Sequence, residues 1–214
     1  MLAVAACRTT LWQPYFDQSC YIYSRAKRMN KGTTSYHIKD ENALYFLTCA
    51  TVEWIDVFTK SKYKEVFTES INFCIKNKGL EVFAWVLMTN HFHMIARAKE
   101  DFELSGILRD MKKHTTKEVV RLIKEEPEGR ESSLLNEMSA AAKRNSKKQT
   151  YQMWRNDNHP IELFKTETVA QKLQYIHMNP VEEGIVIYPE DYAYSSAIDY
   201  SGRKGMIDIE LING

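Results

Sequence analysis

Trp85 to Ala96 reads WVLMTNHFHMIA, a stretch in which two histidines, His91 and His93, are separated by a single aromatic residue. Apolar and β-branched residues crowd both sides, which favours a strand, and strand alternation points His91 and His93 to the same face. Met88-Thr89-Asn90 is a turn-like break between the apolar runs Val82–Leu87 and Phe92–Ala96. The pattern therefore predicts a tight hairpin whose second strand begins at the histidines. Two imidazoles side by side can hold one metal ion. The same spacing also occurs in surface pairs and hydrogen-bonded pairs, so by itself it does not assign a metal site.

Working outward, Ala43–Val52 (ALYFLTCATV) is a β-rich run long enough for a buried strand. Asp56–Lys78 follows, with Val57, Phe58, Tyr63, Val66, Phe67, Ile71, Phe73 and Cys74 mostly three or four apart and Gly79 just beyond as a C-cap. That spacing predicts an amphipathic helix. After the hairpin, Phe102–Lys124 predicts a second helix through Leu104, Ile107, Leu108, Met111, Val119, Val120, Leu122 and Ile123. Strand, helix, strand, strand, helix is most of the split unit of a ferredoxin-like fold. The expected class is α+β: an antiparallel βαββαβ sheet with helices on one face, plus extra helices. Pro127 and Gly129 end the second helix, Ser132–Ala142 is expected to form a short helix, and Tyr151–Trp154 is the candidate fourth strand. A third helix is expected over Thr166–Met178, with Thr166 as N-cap, Glu167 in the first turn, and Val169, Leu173 and Ile176 on one face. Asn179-Pro180 is expected to stop it.

The 214 residues fit one domain with additions. No apolar run approaches the roughly 20 residues of a membrane span, which argues against a membrane role. A formal net charge of +1 carries no global signature of nucleic acid, so any basic surface must be local. Cys7, Cys20, Cys49 and Cys74 form no CxxC pair, which disfavours a zinc knuckle or redox motif. Residues 1–28 lack helical and strand periodicity and also the features of a secretory signal. They are read as a non-core extension ahead of a candidate true start at Met29, with the domain over 29–200 and a tail over 201–214. No GxxxxGK[ST] loop and no strand-borne acidic pair occurs, so neither ATP use nor a nucleotidyltransferase palm is indicated.

On the third helix Tyr175 and Asn179 lie four residues apart and share a face. Taken alone, they are a packing tyrosine and a C-terminal cap. Together, NHFH (Asn90–His93), MWRNDNHPIEL (Met153–Leu163) and YIHMNPVEEGIV (Tyr175–Val186), in this order, resemble the single-tyrosine HUH transposases, specifically the REP-associated tyrosine transposases of bacteria. The similarity runs from about Met29 to the C-terminus. It implies that His91, His93 and a polar residue one turn after the tyrosine bind a divalent cation, Mg2+ or Mn2+, and that Tyr175 is the nucleophile. The third ligand falls on Asn179, where relatives often carry the longer glutamine.

The implied activity is cleavage and rejoining of single-stranded or hairpin, REP-like DNA through a 5′-phosphotyrosine intermediate, in the cytoplasm at the nucleoid. Homodimer and monomer both stay open. The chemistry is physically coherent: a cation offsets charge developing on the phosphodiester, and a phenol with a pKa near 10 needs activation. Arg109, Lys112, Lys113, Lys117, Arg121 and Lys124 along the second helix, and Lys143, Arg144, Lys147, Lys148 and Arg155 before the third, are candidate phosphate contacts. The helical set reads equally well as a solvated face. Trp154 and Tyr151 are candidate rings for stacking unpaired bases. His159, in the Asp157–Pro160 turn, is a candidate for DNA contact or for holding the third helix, and His177 is read as structural or DNA-facing rather than as a ligand. Two competing readings are a domesticated, non-catalytic hairpin-binding protein and a hydrolase that uses metal-activated water.

Overall fold

The computed structural model describes residues 37–125, 129–145 and 149–212. The expected start at Met29, the extension over residues 1–28, Lys147 and Lys148 lie outside them. In chain order the elements are β1 (Tyr45–Ala50), α1 (Ser61–Asn77), β2 (Leu80–Leu87), β3 (His91–Ala98), α2 (Leu104–Glu125), α3 (Arg130–Arg144), β4 (Ile161–Glu162), α4 (Thr166–Glu182) and a single-turn α5 (Ala197–Tyr200). The sheet is antiparallel with strand order β2-β3-β1-β4, the ferredoxin-like arrangement expected from the element order.

Both faces of the sheet are covered, which is why β1 and β3 read as nearly continuous apolar runs. On one face Leu47, Trp85, Phe92 and Met94 pack against Phe67 and Ile71 of α1 and against Leu104, Leu108 and Met111 of α2. This is the helix pair of the ferredoxin-like unit. On the other face Phe46, Ala84, Val86 and Ile95 meet Ile176 of α4, with Leu173 and Tyr175 packed beside them. His91 and His93 point to this second face. Between α1 and β2 the chain turns through Gly79 at φ 66°, where a Cβ would run into the Phe102 ring, so glycine is required there.

Two expectations are corrected. The fourth strand is Ile161–Glu162, paired with Phe46 and Tyr45, and not Tyr151–Trp154. Trp154 makes only an isolated bridge with Thr51, although the chain from Met153 onward does follow β1: Met153 O accepts from Val52 N, Arg155 N donates to Ala50 O, and Asn158 O accepts from Thr48 N. His159 at φ 37° and Pro160, which has no N–H, interrupt this edge ladder and leave only the short distal piece as regular strand. The second correction concerns α4, which starts with Thr166 inside the helix, Lys165 being the N-cap, and runs through Pro180 to Glu182. Pro180 falls near the C-terminal end, so the backbone bond it cannot make, to Ile176 O, is lost in the final turn only. Burial of Ile176, His177, Asn179 and Pro180 holds the helix together there. No described helix is long and apolar enough to cross a membrane.

Candidate active site

The tight turn before β3 and the pairing of β3 with β1 decide how the histidines are held. Thr48 lies opposite His93 and Ala50 opposite His91. The Oγ1 of Thr48 is 2.9 Å from His93 Nδ1, and Asn90 Oδ1 is 2.8 Å from His91 Nδ1. The amide orientation of Asn90 follows from its other contacts: its Nδ2 donates to Asp56 Oδ1 at 3.0 Å and to Trp54 O at 3.3 Å, both acceptors only. The Oδ1 of Asn90 therefore faces the ring, and the proton of His91 sits on Nδ1. Thr89 Oγ1 also donates to Asp56 Oδ1, at 2.8 Å, so one carboxylate anchors the turn that orients His91. This assignment leaves the Nε2 lone pair of His91 available.

The two rings lie 4.8 Å apart, centroid to centroid, with His93 stacked on Phe46 at 5.3 Å. From α4, the Tyr175 hydroxyl comes within 3.3 Å of His93 Nε2, and its ring packs edge-on to His93 at 5.0 Å. Asn179, one turn further along, is buried, with its side chain near enough to His91 to influence that ring's protonation. The structure thus brings His91, His93, Tyr175 and Asn179 together across the sheet–helix boundary.

Burial pushes the His91 pKa down to about 4, against a smaller opposing effect of the nearby Asn179 amide. Burial, and then the neighbouring His91 and Lys172, hold His93 well below the usual histidine value. Both rings are neutral at physiological pH, the state in which imidazole can ligate. Two imidazole nitrogens and one amide group form a neutral donor set that fits a divalent cation retaining open positions for oxygen ligands. No cluster of three His, Cys, Asp or Glu side chains suited to a metal occurs among the described residues.

Several contributors went unread in the sequence. Lys172, on the same helical face as Tyr175, holds its ammonium 4.6 Å from the Phe46 ring centre and 5.6 Å from that of Tyr175. Its i, i+3 relation to Tyr175 was a usable signal. Asn90 was visible as a turn residue and as the first residue of NHFH, but not as the group that orients His91. Thr48 and Asp56 reach the histidines through tertiary contacts that carry no local signature.

The candidate DNA contacts scatter. Trp154 is corrected: it is buried, donates from Nε1 to Thr115 Oγ1 at 2.9 Å, and packs on Phe58 and Phe92, so no base can stack on it. Lys112 is corrected too, because its ammonium is taken up by Arg155 O, Asp157 O and Asn158 Oδ1. Arg121 pairs with Glu118 and Glu125, Arg144 with Glu53, and the Tyr151 ring lies under the Lys124 ammonium. Lys113 and Lys143 are exposed. Arg155 lies 3.4 Å from Asp157, and His159 Nε2 lies 2.7 Å from the same carboxylate. His177 is fully buried, 2.9 Å from Ser196 Oγ, whose own contacts bind the edge of β2 at Trp85. It is a structural link between α4 and the C-terminal segment.

A family profile, "Transposase IS200 like", matches residues 39–177. A solved structure described as a REP-associated tyrosine transposase bound to a REP hairpin is similar over 86% of this chain and 94% of that one, at 16% identity and a TM-score of 0.56. A candidate transposase from Deinococcus radiodurans R1 aligns with 69% of this chain and 95% of its own, at 16% identity and a TM-score of 0.40. No curated protein sequence matches. The chain belongs to the IS200-like transposase family.

Proposed function

We propose that this IS200-like transposase is a metal-dependent strand transferase that cuts and rejoins single-stranded or hairpin DNA through Tyr175. The single observation that carries the reading is the 3.3 Å approach of the Tyr175 hydroxyl to His93 Nε2, on the face shared with His91 and Asn179. The relative of similar fold is described as bound to a REP hairpin, and a hairpin with single-stranded flanks is the substrate proposed here. Such an enzyme works where the chromosome lies, at the nucleoid.

His91, His93 and Asn179 would hold a divalent cation, Mg2+ or Mn2+, which when bound withdraws charge from the scissile phosphate and the departing oxygen. The chain's own residues supply the rest. Packing against His93 and Phe46 fixes the Tyr175 ring, so the phenol is aimed before substrate arrives. The Lys172 ammonium, close above that ring, is placed to meet a non-bridging oxygen of the phosphate, and the phenolic proton leaves to water. The phenolic oxygen bonds to phosphorus, the bond from phosphorus to the 3′ oxygen breaks, and that oxygen takes a proton to become a free 3′ hydroxyl. The 5′-phosphotyrosine link conserves the bond energy, and attack by another 3′ hydroxyl reverses the step without ATP.

The test uses labelled hairpin DNA from repeats flanking the gene, with Mn2+ or Mg2+. Wild type should form a denaturant-resistant protein–DNA adduct, and Tyr175→Phe should lose it by at least about 1000-fold, since no other group replaces the nucleophile. Cleavage that persists in Tyr175→Phe would point to activated water. Hairpin binding by both proteins without any adduct would favour a non-catalytic recognition protein.

A further inference from the structure

Beyond the end of β1 the chain makes a 3-10 turn, Val52–Trp54, and two consecutive residues in it, Glu53 (φ 51°) and Trp54 (φ 57°), adopt the left-handed region. A bulky side chain disfavours that conformation, and it persists only where surrounding contacts over-determine it. Those contacts are present. Trp54 N donates to Thr51 O at 3.3 Å, Trp54 O accepts from Asn90 Nδ2 at 3.3 Å, and Glu53 pairs with Arg144 at 2.8 Å. The Asn90 side chain that orients His91 therefore also holds the Trp54 backbone. The outcome is an indole 49% exposed to solvent, standing edge-on to His91 at 5.8 Å.

What distinguishes Trp54 from the other exposed apolar side chains is that a costly backbone conformation holds its half-exposed ring beside His91. Above the indole lies the Arg155 guanidinium, 6.0 Å from the ring centre, on a residue anchored by its backbone N–H to Ala50 O at 2.9 Å. Trp54, Arg155, Asn156 and Asp157 are among the residues that line an open cleft of about 660 Å³. An indole face with a guanidinium beside it suits a flat, electron-rich, unpaired ring, and the Asn156 amide that also lines the cleft can meet the polar edge of a base.

We propose that Trp54, backed by Arg155, is a stacking platform for one unpaired base of the DNA strand, next to the phosphate held at His91 and His93. The inference rests on the proposed DNA-cleaving function and adds a base-recognition site to it. Trp54 takes the role that sequence pattern suggested for Trp154, which is buried elsewhere. By stacking a base beside the histidines, the platform sets which phosphodiester faces Tyr175.

The test is a binding and adduct assay on flanking-repeat hairpins whose single-stranded tail carries an abasic residue at each position in turn. With wild type, one abasic position near the cut should weaken binding roughly 10- to 100-fold, the range for loss of one base–aromatic stack. Trp54→Ala should weaken binding of intact DNA by a similar factor and become indifferent to that abasic position. Trp54→Phe should recover most of the affinity, and both variants should keep the wild-type melting temperature, since the ring is half-exposed. Trp54→Ala that binds like wild type, or that stays sensitive to every abasic position, overturns the platform. Base-dependent binding without any adduct overturns the tyrosine chemistry alone and leaves the platform standing. No binding of wild type to any of these DNAs overturns both.

Discussion

The β3–α4 face and the edge segment over residues 151–163 both carry polar groups, but what those groups are attached to differs. On β3–α4 the histidines are steered by neutral partners, Thr48, Asn90 and Asn179, and burial keeps the rings uncharged. Their bonding capacity is directed rather than consumed. Along the edge segment and the helix beneath it, charged groups are largely satisfied by the protein: Lys112 by three oxygens, Arg155 and His159 by Asp157, and Trp154 by Thr115 and the core. The difference teaches that a charged or aromatic residue next to an active site is as often architecture as it is ligand contact. Which role it takes depends on whether its polar atoms already have protein partners.

The largest expected effect would test the edge segment as architecture. Trp154→Ala should destabilise the fold by about 3–5 kcal/mol, the usual cost of truncating a buried aromatic, read as a shift of the urea midpoint. A stable variant with weakened DNA binding would instead return Trp154 to the DNA surface.

The β3–α4 face can be probed through pH. Burial pushes the His177 pKa from its ordinary 6.5 down to about 3. Above pH 6.5 the ring is neutral in both folded and unfolded chains. Below it the unfolded chain takes the proton first, so stability falls with falling pH until the folded ring protonates near pH 3. The His177 share of that loss should reach on the order of 2 kcal/mol by pH 5. His177→Gln should flatten the stability profile between pH 6.5 and 5 relative to wild type, with the remaining slope due to the other buried histidines. An unchanged profile would mean that His177 is not held neutral.

A substitution at Lys112 would sharpen the contrast most directly. Lys112→Met should cost about 1–3 kcal/mol of stability by leaving the carbonyls of Arg155 and Asp157 unpaired. It should leave the slope of log binding constant against log salt unchanged. A fall in that slope by about 1 would mean that Lys112 neutralises a phosphate after all.

Sequence alone determined the parts of this protein in which function follows a regular element. Strand alternation places His91 and His93 on one face, helical periodicity places Tyr175 and Asn179 one turn apart, and the element order leads to the ferredoxin-like sheet. These are relations between residues within one element, and local geometry sets them. Only the tertiary structure decided that Asp56 anchors the turn ahead of β3, that α4 continues through Pro180, and that Ile161–Glu162 rather than Tyr151–Trp154 closes the sheet. It also decided that Trp54 stands open beside His91 while Trp154 is buried. Each of these depends on partners many residues away in sequence, and the packing and hydrogen bonds they offer outweigh the local preferences of proline, tryptophan and lysine.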